Sequence, residues 1–156
     1  MNRKIFLVAV ITLIIDQITK ILIGIFFSLN ERVILIKNFF SIHYIENYGA
    51  AWSLFSNKVE FLILISLIAI FIIYRYMYNF KQNKRNNIAF GLIIGGIVGN
   101  LIDRVFLGYV RDFLSFKIFS YNYPIFNFAD IFIVIGVFLL IIAILKGEDN
   151  NAKNSD

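Results

Sequence analysis

Residues 126–130 read Phe126-Asn127-Phe128-Ala129-Asp130, and 131–145 continue as IFIVIGVFLLIIAIL, fifteen residues without a charge. With the residues just before it, that run is long enough to cross a hydrocarbon core of about 30 Å. Asp130 therefore sits just inside a membrane span, where a carboxylate is costly and is by default a candidate for function. Working outward, Val110-Arg111-Asp112-Phe113 places a second acid eighteen positions earlier, beyond a stretch that reads as a loop able to fold back. Two carboxyls in a partly desolvated pocket do not both ionise easily, so one keeps its proton while the other is charged. That supplies an acid and a base in one site, the chemistry that aims a water at an amide. Asn127 followed by Asp130 three residues later also fits a helix N-cap with an acidic third residue, and the two roles can coexist.

The rest of the 156-residue chain carries the same signal: 60% hydrophobic residues, eighteen Phe and further apolar runs near twenty residues. One domain is expected from the length, and the class is a polytopic, mainly α membrane protein. Spans are expected at about 4–27, 59–78, 88–107 and 126–145, forming one integral domain over 1–146. Residues 147–156 are polar and Asn-rich, expected to be a disordered tail. The basic start followed by an apolar run resembles a signal peptide, but no small-x-small site follows and the run continues, so it reads as a retained first span. With no Cys, disulfides, thiolate metal sites and a cysteine nucleophile are excluded, and a single His makes a His-rich metal cluster or a Ser-His-Asp triad a poor fit. No metal or other cofactor is expected. Nor is nucleic acid, because the net charge of +5 is largely accounted for by Lys and Arg in loops on one side of the membrane.

Those loops set the expected orientation. Arg75, Lys81, Lys84 and Arg85 crowd the connection between the second and third spans, and Arg3, Lys4, Lys146 and Lys153 fall on the same side. The other side carries Arg32, Lys37, Lys58, Arg104, Arg111 and Lys117, so both termini are expected in the cytoplasm. About thirty residues then lie outside between the first two spans. The apolar, β-rich runs 33–36 and 39–45, with Lys37-Asn38 as a turn, predict a small extracytoplasmic sheet. The following Asn47-Tyr48-Gly49-Ala50-Ala51-Trp52-Ser53 suits a loop whose backbone comes close to something.

At about 1.5 Å of rise per residue, Asp16 and Asn100 lie roughly 18 Å from the cytoplasmic side, Lys20 roughly 24 Å, Asp103-Arg104 roughly 23 Å, and Asp130 about 6 Å below the outer surface. The polar residues thus gather in the outer half. A transporter or proton relay, for which Asp16, Lys20 and Asp130 would be the candidates, needs polar groups through the whole thickness. Asp16 and Lys20 share a face at i,i+4, and their pairing also fits a plain neutralising role. Asp103-Arg104 equally fits an interfacial anchor. Gly91, Gly95 and Gly99 form a packing stripe to which no chemistry is assigned, the feature a non-catalytic scaffold would use. His43 reads as a strand surface residue. Among the acids, Asp103 and Glu46 also reach the outer face, so the residues alone leave the choice of catalytic pair open.

Taken together, five clusters resemble lipoprotein signal peptidase, the type II signal peptidase of bacteria. They are Asp16-Gln17-Ile18-Thr19-Lys20, the 47–53 segment, Gly99-Asn100-Leu101-Ile102-Asp103-Arg104, Val110-Arg111-Asp112-Phe113 and Phe126-Asn127-Phe128-Ala129-Asp130. They occur in that family's order in a four-span chain. The resemblance implies an aspartic endopeptidase of the bacterial cytoplasmic (inner) membrane, its site toward the outer face. It implies substrates that are diacylglyceryl prolipoproteins, cut just before the lipidated cysteine, with membrane lipid and globomycin-type cyclic peptide inhibitors as further partners. Asp112 and Asp130 would be the catalytic pair. Asn100, Arg104, Asn127, Asn47 and Gly49 would bind substrate, and Asp16, Lys20 and Asp103 would support the site.

Overall fold

The computed structural model describes residues 2–50 and 54–149. Among the described residues, four helices are long and apolar enough to cross a membrane: α1 (Arg3–Phe26), α2 (Val59–Tyr76, continued by a 3-10 turn over Met77–Asn79), α3 (Lys84–Leu107) and α4 (Phe128–Leu145). A small antiparallel sheet stands at one end, made of β1 (Arg32–Ile36), β2 (Phe40–Asn47), β3 (Val110–Ile118) and β4 (Tyr121–Asn122) in that spatial order.

Caps set the helix ends. Asn2 accepts from the Lys4 N–H at the start of α1. Asn83 accepts from the Asn86 N–H, so α3 begins four residues before the apolar run expected at 88. At α4 the expected cap is present as a reciprocal box: the Asn127 side chain accepts from the Asp130 N–H and the Asp130 carboxylate from the Asn127 N–H, each over 3.2 Å. That box starts the helix at Phe128, two residues later than expected.

α3 is the centre of the bundle, and small residues let its neighbours approach. A Cβ on Gly95 would lie 2.6 Å from the Ala9 carbonyl of α1, and one on Gly96 would lie 2.6 Å from the Ala129 carbonyl of α4. Gly91 and Gly99 continue the first seam against Val8 and the Asp16 carboxylate. Such close backbone approach is how helices associate where lipid is as apolar as their side chains. The expected stripe therefore faces α1, and Gly96 serves a second seam on the opposite side. α2 packs on α3 and buries only Leu62, leaving its remaining apolar surface for lipid. At the end away from the sheet, Ile5, Met77, Phe80, Phe90 and Ala143 form an apolar core. Beside it, the first residues after α4 are ordered: Glu148 accepts from Asn83, Arg85 and Asn86 at the start of α3. Residues 150–156 of the expected tail lie outside the described residues.

The sheet holds the expected hairpin, with its turn at Lys37-Asn38 and Asn38 at φ 60°. It is larger than expected, because the connection between α3 and α4 folds back as β3 and β4 and extends it. β3 pairs with β2, setting Ile45 opposite Asp112 and Asn47 opposite Val110. Asp112 therefore stands on a central strand and not on a loop. β3 escapes the period-two signature because Asp112, Phe113, Leu114 and Ser115 are all buried, on both faces of the strand.

Candidate active site

Where the sheet meets the bundle, side chains from β2, β3, α3 and α4 converge. Asp112, only 2% exposed, is held by two amides: Asn127 Nδ2 donates to its Oδ1 over 2.7 Å and Asn47 Nδ2 to its Oδ2 over 2.8 Å. Asn100 Nδ2 donates to Asp130 Oδ1 over 2.8 Å, and Asn127 Nδ2 also reaches Asn100 Oδ1 at 3.0 Å. The two acids are thus joined through a pair of asparagine amides that both point donors at them. Arg104 reaches across from α3 to the Gly49 carbonyl at 3.3 Å, bringing the backbone after β2 over the site. Of the 47–53 segment, Ala51, Trp52 and Ser53 lie outside the described residues.

A layer of buried charge lies beneath. Lys20 Nζ is 2.8 Å from Asp16, 3.6 Å from Asp103 and 2.9 Å from Asn100 Oδ1, with Lys20, Asp16 and Asp103 all fully buried. Asp16 also accepts from the Ala129 N–H at the start of α4, where the helix dipole favours an anion. Asp103 takes the Arg111 guanidinium at 2.7 Å and accepts from the Arg111 backbone N–H. Its partner is therefore Arg111 and not the adjacent Arg104, since consecutive helix residues point to different faces. Gln17 ties the layer together, donating to Asp16, Asp103 and the Gly99 carbonyl while accepting from Arg111.

This arrangement sorts the acids that sequence alone leaves open. Asp16 and Asp103 are neutralised by cations. Asp112 and Asp130, among the described residues, have no cation within ion-pair distance and are held by amide donors. Burial first, and the neighbouring Asp130 charge second, push the Asp112 carboxyl up to about 7. Glu46 stands apart, bonded to the Tyr48 hydroxyl at 2.7 Å. His43 lies on the sheet opposite Arg32, away from the acids. Of the site residues expected from sequence, Asp112 and Asp130 lie with the amides of Asn47, Asn100 and Asn127, Asp16, Lys20 and Asp103 lie in the layer beneath, and Arg104 and Gly49 meet across the site. Gln17 and Arg111 were missed as site residues. Arg111 could have been suspected as the nearest cation on the strand beside a buried acid, whereas Gln17 gives no signal outside its motif.

The two acids open into a cavity of about 500 Å³. Asn100, Arg104, Asp112 and Asp130 form its polar end, and Ile131 and Val134 on the first turns of α4 extend it as an aliphatic wall. One end can handle a water and a peptide bond, and the other an apolar chain.

Comparison with known proteins gives the family. Residues 8–146 match the family model described as signal peptidase (SPase) II. A lipoprotein signal peptidase of Clostridium tetani is 42% identical over 91% of this chain and 92% of its own length. One from Staphylococcus aureus is 38% identical over 98% of both chains. A solved structure described as a bacterial membrane enzyme, obtained by the in meso method, superposes with a TM-score of 0.82 at 36% identity, covering 97% of this chain and 91% of that one. This four-helix membrane protein belongs to the signal peptidase II family, the aspartic-type endopeptidases that process lipoproteins.

Proposed function

We propose that the chain removes signal peptides from diacylglyceryl-modified prolipoproteins by cutting just before the lipidated cysteine, with Asp112 and Asp130 as the catalytic pair. The observation that carries this reading is the sorting of the acids: these two face the cavity and are held by neutral amides, while Asp16 and Asp103 are saturated by Lys20 and Arg111.

In the proposed reaction a water sits between the two carboxyls. The ionised one takes its proton as the water oxygen bonds to the scissile carbonyl carbon, and the protonated one gives its proton to the carbonyl oxygen. Collapse of the tetrahedral species breaks the C–N bond, and the departing amine leaves with a proton from the pair. A carboxyl raised to about 7 suits this work, because it exchanges protons near neutral pH. Which acid begins charged is a property of the pair. The Asn127 and Asn47 amides fix the Asp112 carboxyl, Asn100 fixes Asp130, and Arg104 with the Gly49 backbone would hold the substrate peptide. The aliphatic wall of Ile131 and Val134 would take the diacylglyceryl chains from the bilayer, and a globomycin-type cyclic peptide would compete for the same cavity.

Localisation follows the same reading. Lys81, Lys84 and Arg85 lie at the end of the bundle away from the sheet, which supports cytoplasmic termini and a site facing the outer side of the bacterial inner membrane. The test is single-turnover cleavage of a diacylglyceryl prolipoprotein in detergent by Asp112→Asn and Asp130→Asn, alongside inhibitor binding. General acid–base catalysis contributes about 10²–10⁴-fold, so either change should nearly abolish cleavage while binding persists. Near-normal cleavage by either variant would remove the pair from the chemistry.

A further inference from the structure

A second cavity of about 500 Å³ adjoins the first. Asn47, Tyr123 and Pro124 are common to both, and beyond them Glu46, Asn57 and Asn122 line the second. We propose that this side cavity receives the polypeptide that follows the lipidated cysteine, and that Glu46 makes it favour basic over acidic side chains there. The inference rests on the peptidase reading above.

Continuity decides the occupant. The substrate carries its acyl chains at the residue next to the cut, and the aliphatic wall of α4 is where those chains can lie. The chain on the other side of the cut is a polar polypeptide that must leave toward water. The side cavity begins at Asn47, whose amide touches Asp112, and offers Glu46, Asn57 and Asn122 beside its apolar groups, a more polar lining than that of the first cavity.

Glu46 sets the sign. Successive strand residues point to opposite faces, so Asn47 turns to Asp112 while Glu46 turns to the Tyr48 hydroxyl. A phenol donor brings no opposite charge to it. Arg111, directly across the strand pair, is committed to Asp103. Among the described residues, no cation lies within ion-pair distance of Glu46. A lysine entering the cavity meets an uncompensated anion, and a glutamate meets a like charge.

The experiment uses the full-length enzyme in detergent and three lipidated substrates that differ only at the second and third residues after the cysteine, which are Ser, Lys or Glu. Each variant's rate on the Ser substrate is its own reference. Wild type should show kcat/KM roughly tenfold higher for Lys than for Glu, as expected for partly screened charges in contact, and the ratio should shrink with added salt. Glu46→Gln, which still accepts from Tyr48, should bring the ratio near one, and Glu46→Lys should invert it. A wild-type ratio near one, or a ratio unchanged in Glu46→Gln, overturns the proposal. Failure of the peptidase reading looks different: Asp112→Asn would then cleave all three substrates.

Discussion

Lys20 and Asn100 meet over 2.9 Å, and this contact decides which way the Asn100 amide faces. An ammonium can only donate, so Oδ1 must turn to it, and Nδ2 is left pointing at Asp130. Asn127 is fixed in a similar way, because its Oδ1 accepts from the Asp130 N–H and its Nδ2 must donate to Asn100 and Asp112. A buried charge that never touches the cavity thus orients the donors that do. Asn100→Asp keeps the Lys20 contact but sets an acceptor against Asp130. Turnover should fall by about 10²-fold, the scale of losing one aimed donor, while the melting temperature stays close to wild type. Single-turnover rates and thermal melts on one preparation check both.

The Asp112 proton gives a pH signature. Its carboxyl is raised from an ordinary 3.8 to about 7 by burial and then by Asp130. Once the pair has lost its shared proton the acid half of the catalyst is gone, so kcat should fall on the alkaline side of about 7. Between the unfolded and folded values the folded chain binds more protons than the unfolded one, so stability should also decline as pH rises through that window. Asp112→Asn should flatten that slope. An unchanged slope in the variant would assign the effect to another group.

Asp103→Asn should damage the protein in a different way. It leaves Arg111 facing a neutral amide and Lys20 with Asp16 alone, at a position that is itself fully buried, and removing one partner of such a network typically costs about 3–5 kcal/mol. The expected result is a low yield and a depressed melting temperature. Activity per folded molecule, measured by active-site titration with a tight inhibitor, should stay within about tenfold of wild type, far above the 10²–10⁴-fold scale of a lost acid or base.

The glycine seam can be tested against an internal control. An added Cβ at Gly95 meets the Ala9 backbone carbonyl and Thr12, neither of which can swing away, so Gly95→Ala should destabilise by about 1–3 kcal/mol. Gly24, on α1 and with nothing within 4 Å of its missing Cβ, should tolerate Ala or gain slightly from it. Thermal melts of the two variants in the same detergent separate packing from propensity.

The four spans were legible because hydropathy is a bulk property, and their starts were misplaced only where a polar cap such as Asn83 moved them. The two added strands were not legible. β3 sits between β2 and β4 with both faces covered, so its residues show no alternation, and β4 is only two residues long. For the site, the depth of Asp16, Lys20, Asn100, Asp103 and Asp130 could be counted along their helices, but the partner of each could not. Resemblance selected Asp112 and Asp130 where spacing left Asp103 and Glu46 in contention. The pairing of Asp103 with Arg111, and the place of Glu46 beside the Tyr48 hydroxyl, support the proposed assignment of the pair.

The placement of Lys20 one turn after Asp16 also bears on how the protein is made. α1 carries its own counter-charge, so it enters lipid as a balanced unit before any later segment exists. α3 has no such provision: Asp103 depends on Lys20, already in place, and on Arg111, which follows it in the chain. Asp130 arrives last, on α4, and only then do Asn100 and Asn127 have both carboxyls to hold. On the proposed assignment, a nascent chain still waiting for its final helix has one acid without its mate, so hydrolytic power is withheld until membrane insertion is complete.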